Sequence, residues 1–345
     1  MPVHFVVAGS RAPVSLTVPT SQDLYLQLIG SSPRPGVAEA ASAAANYAQA
    51  FHWWQVFPQV FSPRPQAGEG PGVRGGFDVL LGNPPWERIK PQEEEFFASR
   101  SPLVAEAQHK AERGRRIELL HVGMLLHTLY PEVEAAQGLI PPNQAEQALH
   151  AEFIVARRIA EATSLYAHDA GRYPLTGVGD VNTYALFAET FAQLMAPGGR
   201  AGFIVPTGIA TDDSTKAYFE AVSQNGQLAT LLAFENEEFI FPSAHHSFRF
   251  CILTLGRSET SEFVFFARQP QQVHDPRRRF TLTPDEFCLI NPNSRTCPIF
   301  RSQHDAELTK KLYRSTPVLI EEGKVERNPW ELRFHSRLIH MAEDK

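Results

Sequence analysis

The residues best suited to chemistry lie in an eleven-residue segment that runs from Gly76 to Trp86. An apolar run in this segment leads into Gly82, and an asparagine, two prolines and a tryptophan follow. Each proline fixes its own φ angle and lacks an amide donor, and Pro84 keeps Asn83 out of the helical conformation. We therefore expect a stiff turn that presents backbone carbonyl oxygens and the Asn83 side-chain oxygen as acceptors.

Such a turn suits a flat, nitrogen-rich ring that carries an exocyclic amino group. Two acceptors aimed at the amino group would draw its lone pair toward tetrahedral geometry and make it a better nucleophile, at about 3 kcal/mol per contact. The Trp86 indole can stack on the ring, which is worth about 1–3 kcal/mol. A base inside a duplex cannot reach such a pocket and has to be flipped out. The competing interpretation is a turn that merely packs; the apolar run and Gly82 before it disfavour this.

The elements that position this turn follow from hydrophobic patterning. The segment Phe77–Leu81, with its apolar run Val79–Leu81, and the fully apolar run Ala201–Val205 predict strands. The first is predicted to be buried on both faces because it does not alternate. Further strands are predicted at 228–234, 248–255 and 263–267. Strands that alternate with helices predict an α/β sheet, largely parallel, although the 228–234 and 248–255 pair is compatible with antiparallel pairing. Ligands of such sheets bind beyond the carboxyl ends of the strands.

Helices and connections are predicted around these strands. The predicted helices are 40–50, 93–130 with a break near Ser101-Pro102, 143–168, one opened by Asn182 and stopped at Pro197–Gly199, and one capped by Asp212–Ser214 that runs through Val222. Phe51–Phe61 is predicted as an edge strand or turn, and Pro131–Pro142 as a connection. Residues 62–76 are rich in proline and glycine and predict an exposed loop.

The bulk properties fit a globular chain. It has 345 residues and a formal net charge of −6, so any basic surface for nucleic acid has to be local. No apolar run is long enough to span a membrane, and no basic n-region suggests a signal peptide. The three cysteines, Cys251, Cys288 and Cys297, lack CxxC spacing. We expect a cytoplasmic protein without a disulfide framework or structural zinc.

Two further groups of residues could have a function, but an ordinary surface position is the simpler explanation for each. His245-His246 lack a third ligand at suitable spacing, so surface histidines are favoured over a metal site. Arg277–Arg279 can contact phosphate, but a solvated cluster of charges is the commoner case. We therefore predict no metal ligand in this chain.

The Asn-Pro-Pro-aromatic turn behind a Phe-Asp-Val strand resembles the amino-methyltransferases that modify adenine N6 in DNA. The likeness is greatest to the large methylases of restriction and phage-defence systems, including fused restriction-methylase and BREX-type enzymes. It covers about residues 50–345, through the segments Phe51–Phe61, Asn182–Arg200, Gly202–Thr207, Phe234–Thr254, Asn291–Asn293 and Trp330–Asp344.

The resemblance implies a Rossmann-like class I methyltransferase sheet that uses S-adenosylmethionine and acts on double-stranded DNA. By analogy, Asn83 and the Pro84 carbonyl hold the adenine amino group, with Pro85 completing the turn, and Trp86 stacks on the flipped base. In the family, an aromatic residue of the hairpin that resembles Phe234–Thr254 often contacts the second face of the base. Phe248 is the candidate for this residue and Phe250 the runner-up. Partners would include other restriction-modification or defence subunits.

The chain also departs from the family. The glycine-rich loop that binds S-adenosylmethionine is not found, and Val7–Ser10 is a poor match. We therefore expect an interior piece of a longer enzyme, with an incomplete sheet. The expected divisions are an N-terminal segment (1–50), a partial catalytic domain with a helical insertion at 90–170 (51–270), and the start of a target-recognition region (271–345).

Two alternatives to an active DNA methyltransferase stay open on the sequence. One is an inactive remnant or a subunit that needs another chain for the cofactor site. The other is an amino-methyltransferase that acts on protein glutamine or on RNA, which the Asn-Pro-Pro-aromatic core alone does not exclude. The likeness of the hairpin and of the recognition region favours DNA.

Overall fold

The computed structural model describes residues 22–23, 26, 30–32, 34–47, 53–61, 75–90, 92–138, 140–316, 318–323, 328 and 331–332. The chain divides into two compact units, 1–75 and 76–345. In the first unit the described helices are α1 (Val37–Tyr47), α2 (Trp53–Val56) and α3 (Pro58–Phe61). The predicted alanine-rich helix is thus confirmed for residues 40–47, and residues 48–50 lie outside the described residues. The predicted edge strand or turn at 51–61 is wrong for residues 53–61, since Pro58 begins a helix, a position that proline suits.

The second unit is built on a six-stranded sheet with the order β1-β2-β4-β3-β5-β6. The strands are β1 (Phe77–Gly82), β2 (Met195–Pro206), β3 (Leu228–Glu235), β4 (Arg249–Leu255), β5 (Ser261–Ala267) and β6 (Phe280–Leu282). The helices are α4 (Glu93–Ala98), α5 (Pro102–Ala105), α6 (Lys110–Val122), α7 (Leu125–Leu129), α8 (Pro131–Ala136), α9 (Gln144–Asp169), α10 (Thr183–Leu194), α11 (Gly208–Thr211), α12 (Lys216–Gln224), α13 (Pro284–Ile290) and α14 (Gln303–Ser315). The fold is therefore α/β, as predicted.

Strand direction differs from the prediction of a largely parallel sheet. Only β1–β2 and β3–β5 pair in parallel, whereas β2–β4, β3–β4 and β5–β6 are antiparallel. The expected antiparallel option for the β3–β4 pair is confirmed. The cause is β4, which returns directly from β3 without a crossover helix and inserts between β2 and β3. An antiparallel partner requires no such crossover.

β1 has one neighbour, β2, among the described residues, and it is not buried on both faces as predicted. Leu80 is 9% exposed, whereas Val79 and Leu81 on the opposite face are 64% and 81% exposed. A continuous apolar run is typical of a strand with elements packed on both faces. Here the described residues cover only one face, so the composition alone overestimated the burial.

The pairing of β1 with β2 is interrupted by a bulge near the start of β2. Phe77 pairs with Met195 but Val79 pairs with Arg200, so three extra residues of β2 loop out between these pairs. A Cβ on Gly199 would lie 2.6 Å from the carbonyl oxygen of Phe77. Only glycine permits so close an approach. The proline–glycine segment predicted to follow the helix therefore lies inside β2, and α10 ends at Leu194, directly before β2.

The helical insertion differs from the prediction at one place. Residues 93–130 form four short helices with a break at Ser101, and the long helix begins after Asn143, as expected. The predicted connection 131–142 instead contains α8, with Pro131 at its first position. No helix in the described part of the chain is long and apolar enough to cross a membrane.

A buried carboxylate anchors the loop that leads into α10. Glu189 is 2% exposed and accepts hydrogen bonds from the backbone of Leu175 (3.3 Å) and Thr176 (3.0 Å) and from the Thr176 hydroxyl (2.7 Å). Glu189→Gln replaces one acceptor oxygen by a donor that faces these donors. We expect the free energy of unfolding to fall by about 2 kcal/mol. Urea denaturation measures it, with the exposed Glu259→Gln as control; equal stability of the two variants would contradict this assignment.

Candidate active site

A cavity next to the turn has a volume of about 720 Å³ and lies between two walls. One wall lies at the carboxyl ends of β1 and β2 and includes Trp86, Pro206 and Phe248. The opposite wall comes from the helical insertion and includes Phe96 of α4 and Arg157 of α9. This volume lies in the range of small-molecule and cofactor sites, so it is larger than a single purine ring requires.

The strand directions explain why these residues meet. β1 and β2 run in parallel and end at the same edge of the sheet. β4 is antiparallel to β2, with Phe250 opposite Pro206, so β4 begins where β2 ends. Phe248, just before β4, is therefore brought to the edge from which the Asn-Pro-Pro-Trp turn emerges. This is the edge at which open α/β sheets bind ligands.

The turn itself has an open side and a buried side. Asn83 and Pro85 are exposed, whereas Pro84 is buried. The Asn83 amide and the Pro84 carbonyl form no hydrogen bond with any residue that the structure describes. Neither Asn83 nor the two prolines line the cavity, which begins at Trp86. The two acceptors are therefore unengaged by the described residues, and in the chain they precede Trp86 of the lining by three and two positions.

Trp86 belongs to both the core and the cavity. The indole is half-buried and packs against the cluster that includes Phe234 and Phe250. Its Nε1 donates a hydrogen bond to the carbonyl oxygen of Ile204, at 3.3 Å. This bond fixes the plane of the ring, and part of the ring remains in the cavity lining.

Thr183 holds the turn from the start of α10. Its hydroxyl donates to the carbonyl oxygen of Pro85 at 2.7 Å and accepts from the amide of Glu87 at 3.0 Å. Its own amide donates to the carbonyl oxygen of Glu87 at 2.9 Å, and the amide of Ile89 donates to the carbonyl oxygen of Val181. The segment after the turn is thus attached to the loop before α10. Sequence patterning did not identify this residue.

The two hairpin aromatics have different environments. Phe248 is 50% exposed and lines the cavity. Phe250 is 3% exposed and stacks on Phe234, with ring centroids 5.3 Å apart and planes at 9°. The runner-up Phe250 is therefore engaged in core packing, and only Phe248 has a ring face available for a ligand.

The loop before Phe248 is organised by a buried amide. Asn236 is fully buried, and its Nδ2 donates to the carbonyl oxygens of Phe241, Ala244 and His245. Its Oδ1 accepts from the amide of Phe241 at 2.9 Å, and its backbone amide donates to the carbonyl oxygen of Phe248 at 3.0 Å. A single side chain therefore determines the path of residues 237–247, which the sequence did not reveal.

A polar recess of about 120 Å³ adjoins the cavity. Arg88, Asn182, Tyr184 and Asp212 line both spaces. Burial and the nearby Asp212 carboxylate raise the pKa of Tyr184 to about 12, so its hydroxyl stays protonated and can donate at neutral pH. The Asn182 Oδ1 is buried and accepts no hydrogen bond from the described residues.

The two aspartates at 212–213 do not cap a helix through their side chains, contrary to the prediction. The chain forms a 3-10 turn at Asp213–Thr215 before α12, and no side-chain capping bond is present at Asp212. Asp213 instead pairs with Lys216 at 2.7 Å, and Asp212 lines the cavity. The extra 3-10 turn moves the helix start past the distance that a side-chain cap can span.

The remaining predicted groups lie away from the cavity. The His245 Nδ1 bonds the hydroxyl of Ser247 at 2.8 Å. Arg277 and Arg279 pair with Asp275 and Glu262. No group of three or more His, Cys, Asp or Glu side chains in the described residues can hold a metal ion.

The described residues do not form a recognisable site for S-adenosylmethionine. β1 is the first described strand of the sheet, and the turn after it carries prolines rather than a glycine-rich loop. The weak glycine match at 7–10 and the segment 333–345 lie outside the described residues. None of the described residues therefore takes the place of that glycine-rich loop.

No family model and no curated protein sequence matches the chain. Among solved structures it is similar to a modification subunit of a putative type I restriction enzyme from Vibrio vulnificus, with 15% identity, a TM-score of 0.23, and coverage of 42% of this chain and 28% of that one. The type IIG restriction endonuclease BpuSI gives 21% identity, a TM-score of 0.24, and coverage of 31% and 12%. A putative class I S-adenosylmethionine-dependent methyltransferase from Listeria monocytogenes gives 14% identity and a TM-score of 0.25, with coverage of 55% of this chain and 68% of that one.

The chain thus spans less than a third of the first two of these proteins. At TM-scores this low the likeness carries no conclusion about activity, and the α/β fold rests on the sheet itself.

Proposed function

We propose that this chain carries the acceptor site of a site-specific DNA methyltransferase that modifies adenine N6, in a restriction-modification or phage-defence system. The observation that carries the proposal is one cavity, at the carboxyl end of β1, lined by Trp86 and by the exposed ring of Phe248. Two aromatic faces beside unengaged carbonyl acceptors suit a flipped purine with an amino group.

The roles follow from the chemistry of each group. The side-chain oxygen of Asn83 and the carbonyl oxygen of Pro84 accept the two N–H donors of the amino group and raise its nucleophilicity. Trp86 and Phe248 hold the ring, and Thr183 fixes the turn through Pro85. S-adenosylmethionine would supply the methyl group, and its contacts lie outside the described site residues. Direct transfer would form the N–C bond as the S–C bond of the sulfonium breaks, with the thioether as leaving group and one amino proton lost to solvent, so it would need no enzyme nucleophile.

The cysteines fit this direct transfer. Cys251 and Cys297 are buried, and burial raises the pKa of each thiol well above its usual range, so neither is a thiolate at neutral pH. Cys288 is exposed but does not line the cavity. A covalent cysteine intermediate is therefore not part of the proposed reaction.

The lack of a donor site among the described residues favours a second candidate function. In it, the chain is a subunit that binds the extruded base and depends on another polypeptide for S-adenosylmethionine. Incubation with labelled S-adenosylmethionine and DNA, RNA or protein, followed by digestion, separates the cases. N6-methyladenine in DNA supports the first proposal; label in RNA or on glutamine would contradict it, and base binding without any transfer supports the second.

Phe248→Ala tests the aromatic pair. We expect binding of a duplex that carries a mismatched adenine to weaken by about 1–3 kcal/mol, the value of one base–aromatic contact, because a mismatched base is flipped at lower cost. Fluorescence anisotropy measures the affinity, and Phe248→Trp should retain it. Phe187→Ala is the matched control, since Phe187 is 40% exposed and does not line the cavity. Equal affinities of the two alanine variants would remove Phe248 from the site.

A further inference from the structure

We infer that Arg88 is a phosphate-binding residue that holds a backbone phosphate beside the nucleotide whose base enters the cavity. The structure supplies the cation and its surroundings, and the identity of the ligand as DNA phosphate rests on the proposed function. Arg88 lines both the 720 Å³ cavity and the polar recess, so it lies where the two spaces join.

The backbone at Arg88 is fixed on both sides. Arg88 forms an isolated antiparallel bridge with Asn182. Immediately before it, Glu87 exchanges hydrogen bonds with Thr183, and immediately after it the amide of Ile89 donates to the carbonyl oxygen of Val181 at 3.0 Å. The Cα of Arg88 is therefore held relative to both the turn and α10. A cation on a fixed backbone positions a ligand more precisely than one on a mobile loop.

The side chain of Arg88 is the available cation of this cavity. It is exposed, and it forms no hydrogen bond or ion pair with any residue described in the structure. The two other cations of the lining are engaged: Lys90 pairs with Asp180, and Arg157 pairs with Glu161 at 3.4 Å. An arginine without a partner in the lining of a pocket presents a planar fork of donors that matches phosphate.

The carboxylates of the same lining restrict how a phosphate can bind. Glu87, Glu95 and Asp212 balance the three cations, so the cavity as a whole has no formal charge. Long-range attraction of a polyanion is therefore weak here, in keeping with the net charge of −6 for the chain. A phosphate has to be bound by direct contact with the guanidinium. This arrangement favours binding of the DNA backbone in one orientation over non-specific attraction of DNA.

The salt dependence of binding tests the contact. With the mismatched-adenine duplex as probe, Arg88→Ala should weaken binding about tenfold at 0.1 M salt. The plot of log affinity against log salt should become less steep by about 0.9, the value for one phosphate contact on duplex DNA. Arg88→Lys should keep the slope, because the charge remains, and lose part of the affinity with the bidentate geometry.

Two controls make the result specific. Arg257→Ala removes an exposed cation outside the cavity and should leave the slope unchanged. Phe248→Ala should lower affinity at every salt concentration without changing the slope, because stacking releases no counterions. A slope for Arg88→Ala equal to that of the wild type overturns the inference but not the proposed function. Absence of any duplex binding by the wild-type chain overturns both.

Discussion

Asn83→Ala is expected to lower the rate of methyl transfer to adenine by about 10²–10³-fold, the usual effect of removing one preorganised hydrogen-bonding group. Asn83 is exposed and bonds to no described residue, so its removal leaves the packing of β1 intact. We expect unchanged thermal stability and little change in affinity for the mismatched-adenine duplex. The loss should appear in the single-turnover rate, measured with labelled S-adenosylmethionine in a preparation that binds it.

Two variants accompany this measurement. Asn83→Asp keeps acceptor oxygens at the same place and should recover part of the rate. Asn225→Ala removes an exposed amide at the end of α12 and should have no effect. Retained turnover in Asn83→Ala would assign the amino group to other acceptors, and a reduced unfolding temperature would indicate a structural role instead.

Asn236→Asp is expected to lower the free energy of unfolding by about 3 kcal/mol, because an oxygen replaces the Nδ2 that donates to three carbonyl oxygens in a fully buried position. The loop of residues 237–247 loses its internal anchor, and Phe248, whose carbonyl oxygen accepts from the Asn236 amide, follows this loop. Base binding should therefore weaken as it does in Phe248→Ala. Urea denaturation and anisotropy measure the two effects.

The matched control is Asn225→Asp, which makes the same chemical change at an exposed position and should preserve both stability and binding. If Asn236→Asp is destabilised but binds the duplex normally, Asn236 supports the fold without positioning Phe248. If its stability is unchanged, the buried hydrogen bonds do not form as described.

The sequence was sufficient for features that depend on neighbouring residues. The strand before Asn83, the helix after Asn143 and the strands β3 to β5 were all predicted close to their observed bounds, whereas β2 begins at Met195, six residues before its predicted start. Local signals determine these features, because proline restricts its own φ angle and that of the residue before it, and hydrophobic periodicity is a property of a short segment.

The burial of β1 and the directions of the strands could not be predicted from the sequence. An apolar run specifies that a strand can be buried, but its position in the sheet depends on which distant strand pairs with it. β4 inserts between β2 and β3, and β1 has Val79 and Leu81 exposed on one face. Similarly, Phe248 and Phe250 are the same residue type two positions apart, yet only Phe248 lines the cavity.

The sequence by itself determined which residues could hold a flat amine: an asparagine, two prolines and an indole in one turn, with phenylalanines on a later hairpin. Only the tertiary structure decided that Phe248 and Trp86 line one cavity. It also decided that Thr183 holds the turn, that Asn236 holds the loop before Phe248, and that Arg88 in the lining has no partner among the described residues. The physical reason is distance along the chain. These groups are brought together by sheet pairing and by hydrogen bonds between residues about a hundred positions apart, which no local pattern encodes.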